Sequence, residues 1–416
     1  MLMLGTAKQE ITPERPVRLV GYATRTTPFV KVEEPIFVRV HWYRQEKAWA
    51  LILYADLLWW NSEFVAMARP RLAQALGIEQ NCILFTASHN HSGPGTGSSF
   101  TGLLETADAA YVEELYQKVE QTARQAMAAE GPVVGTVYRG QCAMNVYRRV
   151  LTEQGVAMRP NYEQPADHTL TLVRLTRPDG TVAATVVHYP CHANLANGNV
   201  VHPDYPGAAL RRLDEDAPGS VSLFLQGCTA DLRPNSVLGE TFVPQDYDGV
   251  QKFAQQFYES CHKVLEQPGE PLGESLLLKQ CSVELPLDQS GLQQALKLAD
   301  QGEEADRQWK EKVLEKDCRP HETLEMTLLR LGALPVFFMN AEVAQYYAAF
   351  AREQLPGALV TGYSNGMIGY LATAQQIRHG GYEPEGSAVY FALAGTYSER
   401  IEELICKGMR TLAHQA

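Results

Sequence analysis

Short apolar, β-branched runs alternate with longer amphipathic stretches through most of the chain. The runs at 36–43, 48–54, 82–87, 133–138, 169–175, 182–188 and 221–225 have the length and residue content of strands. Between them, 66–75, 111–129, 207–216 and 247–267 carry helical periodicity and good helix formers. Pro70 predicts a kink or restart in the first of these. Farther on, 323–331 and 335–339 read as a hairpin, a helix is expected from Ala341, and an amphipathic helix covers 395–413. The alternation predicts an α/β fold, with mixed β-sheets covered by helices in a single large domain spanning 1–416. No linker or repeat interrupts it. The exception is 289–317, a highly charged insertion expected to form a solvated helix or helical hairpin.

Composition narrows the class. The 416 residues are 45% apolar and 20% charged, the balance of a globular protein with a substantial core. The formal net charge of −12 counts against a nucleic-acid partner, which needs clustered Lys and Arg. The opening Met1-Leu2-Met3-Leu4-Gly5-Thr6-Ala7-Lys8 lacks a basic n-region and a long apolar run, so it does not read as a secretory signal. No stretch nears the ~20 apolar residues of a membrane span, and Asp56 interrupts the run at 51–60. A cytoplasmic location is the expectation. Eight Cys lie singly, none in a C-x-x-C pair, which argues against a structural zinc knuckle.

Candidate chemistry gathers where strands run out into loops, the place where α/β folds put ligand-binding groups. The first such segment is Ser88-His89-Asn90-His91-Ser92-Gly93-Pro94-Gly95. In an extended segment its two imidazoles point to opposite faces, one free to bind a metal and the other to meet substrate. Next comes His188-Tyr189-Pro190-Cys191-His192, where Pro190 argues against a helix that would align the two His, leaving one as a ligand candidate.

A third segment, Gln226-Gly227-Cys228-Thr229-Ala230-Asp231-Leu232-Arg233-Pro234-Asn235, breaks a strand into small residues. These permit close backbone approach and free N–H groups for an oxyanion; an internal Asp–Arg pair in a tight turn is the plainer reading. Glu342, in Asn340-Ala341-Glu342-Val343, is expected in a first helical turn, where the dipole favours it. A Gly- and Tyr-rich loop runs from Gly362 to Tyr370, and Gly381-Tyr382-Glu383 follows. Two His, a carboxylate and polar loop groups are the ingredients of an open catalytic zinc site.

In this order the motifs resemble the catalytic domain of the neutral (alkaline, non-lysosomal) ceramidase family. Gly5-Thr6-Ala7-Lys8-Gln9-Glu10-Ile11-Thr12-Pro13 is similar to the family's G-x-G-K-x-D-I-T-P opening, and 51–57 with Asp56 to the strand after it. The segment 88–95 is similar to T-H-T-H-S-G-P-G. Met144-Asn145-Val146-Tyr147-Arg148-Arg149 is similar to N-R-R, with two extra residues that leave Arg148 or Arg149 as the counterpart. The likeness reaches Tyr382-Glu383 and so spans nearly the whole chain.

The resemblance implies a Zn2+ ion held by His89, His192, Glu342 and Tyr370, with His188 alongside. It implies catalytic roles for His91, Tyr382, Arg148 and Asp231, with His91 and Tyr382 stabilising the oxyanion. The implied reaction is attack of zinc-activated water on a linear amide of a small-molecule or lipid-like N-acyl substrate. The family motif S-S-N-L-G-D-V-S-P-N contains a serine proposed as nucleophile, but Gln226-Gly227 stands in place of the serine pair here. That departure leaves the metal-activated route. The secreted members' C-terminal β-sandwich domain is not expected in this chain. Two other readings are a metal-dependent esterase or other hydrolase using another ion, such as manganese or iron, and a non-catalytic binding protein on the same scaffold.

Overall fold

The computed structural model describes residues 1–415. Three five-stranded mixed sheets form its frame. The first runs Ile83–Ala87, Ala48–Ala55, Phe37–Gln45, Met3–Glu10, Gly131–Pro132. The second runs Leu223–Gln226, Val182–Tyr189, Thr169–Thr176, Val134–Gln141, Glu270–Pro271. The third runs Leu359–Thr361, Leu334–Met339, His321–Leu331, Leu276–Asp288, Thr396–Tyr397.

Each sheet is antiparallel except at one edge. The parallel edge pairs are Ala48–Ala55 with Ile83–Ala87, Val182–Tyr189 with Leu223–Gln226, and Leu334–Met339 with Leu359–Thr361. A parallel pair needs a crossover, and helices Ser62–Leu76, Asp204–Asp216 and Gln345–Gln354 supply one each. The same βαβ unit therefore recurs three times without any sequence repeat.

The second strands of these units meet at the centre. Thr361 donates its hydroxyl to Gln226 O at 2.8 Å, Asn365 N donates to Phe85 O at 2.9 Å, and Thr86 bridges to Ser364. The carboxyl ends of all three parallel pairs thus face one region, the position where open α/β sheets hold ligands. Two of the three apolar cores flank the third sheet and the first, and the remaining one fills the space around the second.

The α/β expectation holds, and the seven strands read from the sequence are present with shifted ends. Several readings are corrected. Helix Ser62–Leu76 runs through Pro70 without a restart; Pro70 is on its exposed side, where its ring meets no core neighbour. No helix starts at Ala341. Glu342–Val343 instead pairs in parallel with Tyr370–Leu371, and the helix begins at Gln345. Strand Leu276–Asp288 and the ribbon of Asn145–Thr152 with Gly155–Asn161 had not been read from the sequence.

The charged insertion does fold as helices, Leu292–Leu298 and Glu304–Glu315. It is more than a solvated arm, because Trp309 and Val313 are buried and Trp309 Nε1 donates to Leu393 O at 2.7 Å. All eight Cys are free thiols. Among the described residues, no helix is long and apolar enough to cross a membrane.

Candidate metal centre

The first βαβ unit delivers the H-x-H. Strand Ile83–Ala87 ends, and His89 turns into the left-handed region at φ 62°. That turn breaks the alternation expected of an extended segment. Both imidazoles face inward, with His91 Nε2 3.2 Å from His89 Nε2. Asn90, between them, pins the loop: its Nδ2 donates to Asp56 O at 3.0 Å and His202 O at 2.8 Å, and its Oδ1 accepts from Ser92 N at 2.9 Å. Trp59 covers His89, their rings 5.9 Å apart, and is held by its indole N–H on Glu105 at 2.8 Å.

The second unit delivers His192. Its Nε2 lies 2.8 Å from His89 Nε2, so His89, His91 and His192 form one buried cluster. His188 lies outside the cluster, its Nε2 bonding Val360 O at 3.0 Å. The third unit delivers Glu342, 3.6 Å from the Nε2 atoms of both His89 and His192. Its β pairing with Tyr370 places those two side by side.

The hydrogen bonds assign the tautomers. Nδ1 of His89 lies 3.2 Å from Leu58 O, and Nδ1 of His192 lies 3.2 Å from Thr229 O. A carbonyl only accepts, so both Nδ1 atoms carry the proton and both Nε2 atoms carry lone pairs. Two lone pairs therefore face each other at 2.8 Å with no proton to share. Burial holds both rings neutral, His89 at about 3 and His192 well below its ordinary range. Glu342 Oε1 is buried and has no hydrogen-bond partner. Burial pushes this carboxyl up to about 8, against the pull of Arg148 and then the Tyr370 hydroxyl. Facing lone pairs beside an orphaned carboxylate oxygen make a donor set that fits a cation, with each His oriented by a backbone carbonyl.

Around this centre, Arg148 Nε pairs with Glu383 Oε1 at 2.7 Å and its guanidinium lies 5.6 Å from the Tyr370 ring. Arg149 also pairs with Glu383, but it donates to Gly380 O at 2.8 Å as well. Arg148 keeps a buried Nη2 without a partner. Of the two, Arg148 is therefore the one with a free donor beside Tyr370. Burial alone would raise Glu383; the two arginines outweigh it and hold the carboxylate below its ordinary range.

Tyr382 stands at the rim, 37% exposed, its ring 5.7 Å from that of Tyr370. Asp231 does not meet the imidazoles: its oxygens accept from Gln345 N at 2.9 Å and Gln376 Nε2 at 2.8 Å, and its carbonyl accepts from Arg148 N. It braces the strand that carries Arg148.

Two groups went unread in the sequence. Tyr363 stacks on His89 at 4.0 Å and shares a 2.5 Å hydrogen bond with Thr229 Oγ1. Glu383 was named in a motif without a role, and its pairing with arginines over 230 positions away left no local signal.

No nucleophilic hydroxyl occupies position 227. A Cβ added to Gly227 would lie 2.8 Å from both Cα and Cβ of Pro190 and 2.9 Å from its N, too close for any side chain without a shift. Cys228 is fully buried, which pushes its thiol well up, and the Thr229 hydroxyl is engaged by Tyr363. A cavity of about 580 Å³ lies between helix Ser62–Leu76 and strand His321–Leu331, but none of the cluster's residues line it.

No model of a known protein family matches the chain. Neutral ceramidase of Pseudomonas aeruginosa is 22% identical over 293 residues, an alignment that covers 65% of this chain and 43% of that relative. This chain therefore matches less than half the length of that protein. The crystal structure of neutral ceramidase from Pseudomonas aeruginosa superposes with a TM-score of 0.77 at 15% identity, over 100% of this chain and 75% of that one. A structure of ceramidase complexed with C2 gives 0.77 at 14% identity with the same coverage. The chain is therefore neutral ceramidase-like, in sequence over 65% of its length and in fold over all of it.

Proposed function

We propose that the chain is a metal-dependent hydrolase of N-acyl amides, with His89, His192 and Glu342 holding a zinc ion and Tyr370 beside it. The observation that carries this reading is the 2.8 Å approach of two Nε2 lone pairs next to a carboxylate oxygen that has no other partner. The ceramidase names of the matched proteins support an amide as the bond cleaved.

A zinc ion in such a setting lowers the pKa of water to ~7 and polarises a carbonyl. The chain's own groups do the rest. His91, neutral through burial, has one N–H to offer the oxygen of a polarised amide. The free Nη2 of Arg148 is a second donor, held in place by Glu383. Tyr382 at the rim supplies a hydroxyl from the solvent side. Trp59 and Tyr363 both pack against His89 and keep bulk water from its ring.

The test is hydrolysis of an N-acyl amide panel by protein stripped of metal and reloaded with zinc. The reading expects turnover that requires zinc and vanishes in His192→Ala. Turnover that persists after chelation, or reloaded protein that binds zinc without cleaving any amide, overturns it.

A further inference from the structure

Resting on that reading, we propose that Arg233 recognises a carboxylate on the substrate, so that the amide cleaved is anionic, of the N-acyl amino acid type. Arg233 lies on the short strand Leu232–Pro234, which pairs with Asn145–Thr152 and puts Arg233 opposite Val146, two residues before Arg148. It lines a small cleft with Asn194, two residues after His192. Asn194 O in turn accepts the hydroxyl of Tyr22, whose ring is 4.9 Å from His91. Arg233 thus lies on a strand and beside a loop that border the cluster.

Among the described residues, no carboxylate pairs with Arg233; its contacts are a sulfur and an aromatic face. Three buried carboxylates of this region are engaged elsewhere. Glu383 is shared by Arg148 and Arg149, and Asp231 is bound by Gln345 N and Gln376. Asp204 accepts from Leu195 N and Tyr205 N. Arg25, another guanidinium without an acidic partner, is occupied by the carbonyls of Val20, His91 and Gly198.

Arg233 has only a 3.8 Å contact from Nη1 to Met158 Sδ and the face of Phe242 at 4.7 Å, and its buried Nε has no partner. A half-buried guanidinium left unpaired is costly to the fold. Its planar fork matches a carboxylate through two parallel hydrogen bonds. Met158 and Phe242, in contact with the guanidinium, add apolar surface for the chain of an amphiphile.

The experiment compares a matched pair, N-lauroylglycine and N-lauroylethanolamine, which share chain and amide but differ in charge. Binding of each to zinc-loaded protein is measured by calorimetry, and release of laurate is followed separately. The expected result is at least tenfold tighter binding of N-lauroylglycine. Arg233→Ala should collapse that preference to within about twofold, and Arg233→Lys should retain part of it. Circular dichroism of each variant separates loss of fold from loss of recognition.

Equal binding of the two ligands by the native protein, or a preference undiminished in Arg233→Ala, overturns the proposal. Absence of laurate release from either ligand counts against the hydrolase reading alone, because the binding preference is read without turnover.

Discussion

A serine at position 227 would restore the hydroxyl that the resembling motif carries, and the structure predicts what it would do. Its Cβ would sit at 2.8, 2.8 and 2.9 Å from three Pro190 atoms, where carbon contacts settle at about 3.5–4.0 Å. The obstruction is backbone and ring, with no flexible side-chain end to swing aside. The site cannot open locally either, because Gly227 N bonds Tyr189 O and Gln226 Nε2 bonds Cys191 O at 2.7 Å.

Overpacking of this kind costs about 1–3 kcal/mol. With an unfolding entropy of about 2.1 cal/mol/K per residue, a chain of 416 residues loses roughly 1 °C of Tm per kcal/mol. Gly227→Ser should therefore melt about 1–3 °C lower by scanning calorimetry and gain no chelator-resistant amidase activity. Gly131→Ser is the control, since nothing lies within 4 Å of its Cβ. A Gly227→Ser protein as stable as the native one, with amide turnover that survives chelation, would refute the steric argument and restore a serine route.

Three further outcomes follow from buried charges. Arg39 and Asp214, 2% and 6% exposed, pair at 2.6 Å between the first and second sheets; Asp214→Asn leaves the guanidinium short of its counter-charge and should cost about 3–5 kcal/mol in urea unfolding. Burial pushes Asp204 up to about 7 from an ordinary 3.8, against its backbone hydrogen bonds. The folded state then holds a proton that the unfolded state releases, so its contribution falls by up to about 4 kcal/mol as pH rises from 3.8 to 7. The stability difference between native protein and Asp204→Asn should shift by that amount across the window, and a pH-independent difference contradicts it. Glu342→Gln should weaken zinc binding at least tenfold in a competition titration while leaving the fold intact by circular dichroism, since it keeps the shape and removes the charge.

The sequence carried the strands that are apolar throughout, such as 48–55 and 182–189, because burial on both faces writes an unbroken run. It did not carry strand Leu276–Asp288, whose burial pattern is mostly intermediate and exposed. Glu342 was misplaced into a helix because a two-residue strand has no periodicity of its own; its partner Tyr370 lies in a separate loop. The H-x-H was found at once, yet its geometry was inverted, since the left-handed turn at His89 leaves no mark when the residue is not glycine. The segments that hold His192 and Glu342 stand out in the sequence as places where an apolar strand runs out. What joined them to His89 is the meeting of three parallel edges, a tertiary fact that no local pattern encodes.

The central claim is that His89, His192 and Glu342 hold one divalent ion. Anomalous scattering at the zinc edge, from crystals grown with zinc, tests it most directly. The account predicts a single strong peak bounded by the Nε2 atoms of His89 and His192 and the carboxylate of Glu342. A peak elsewhere with this cluster empty, or no peak at all, would contradict it.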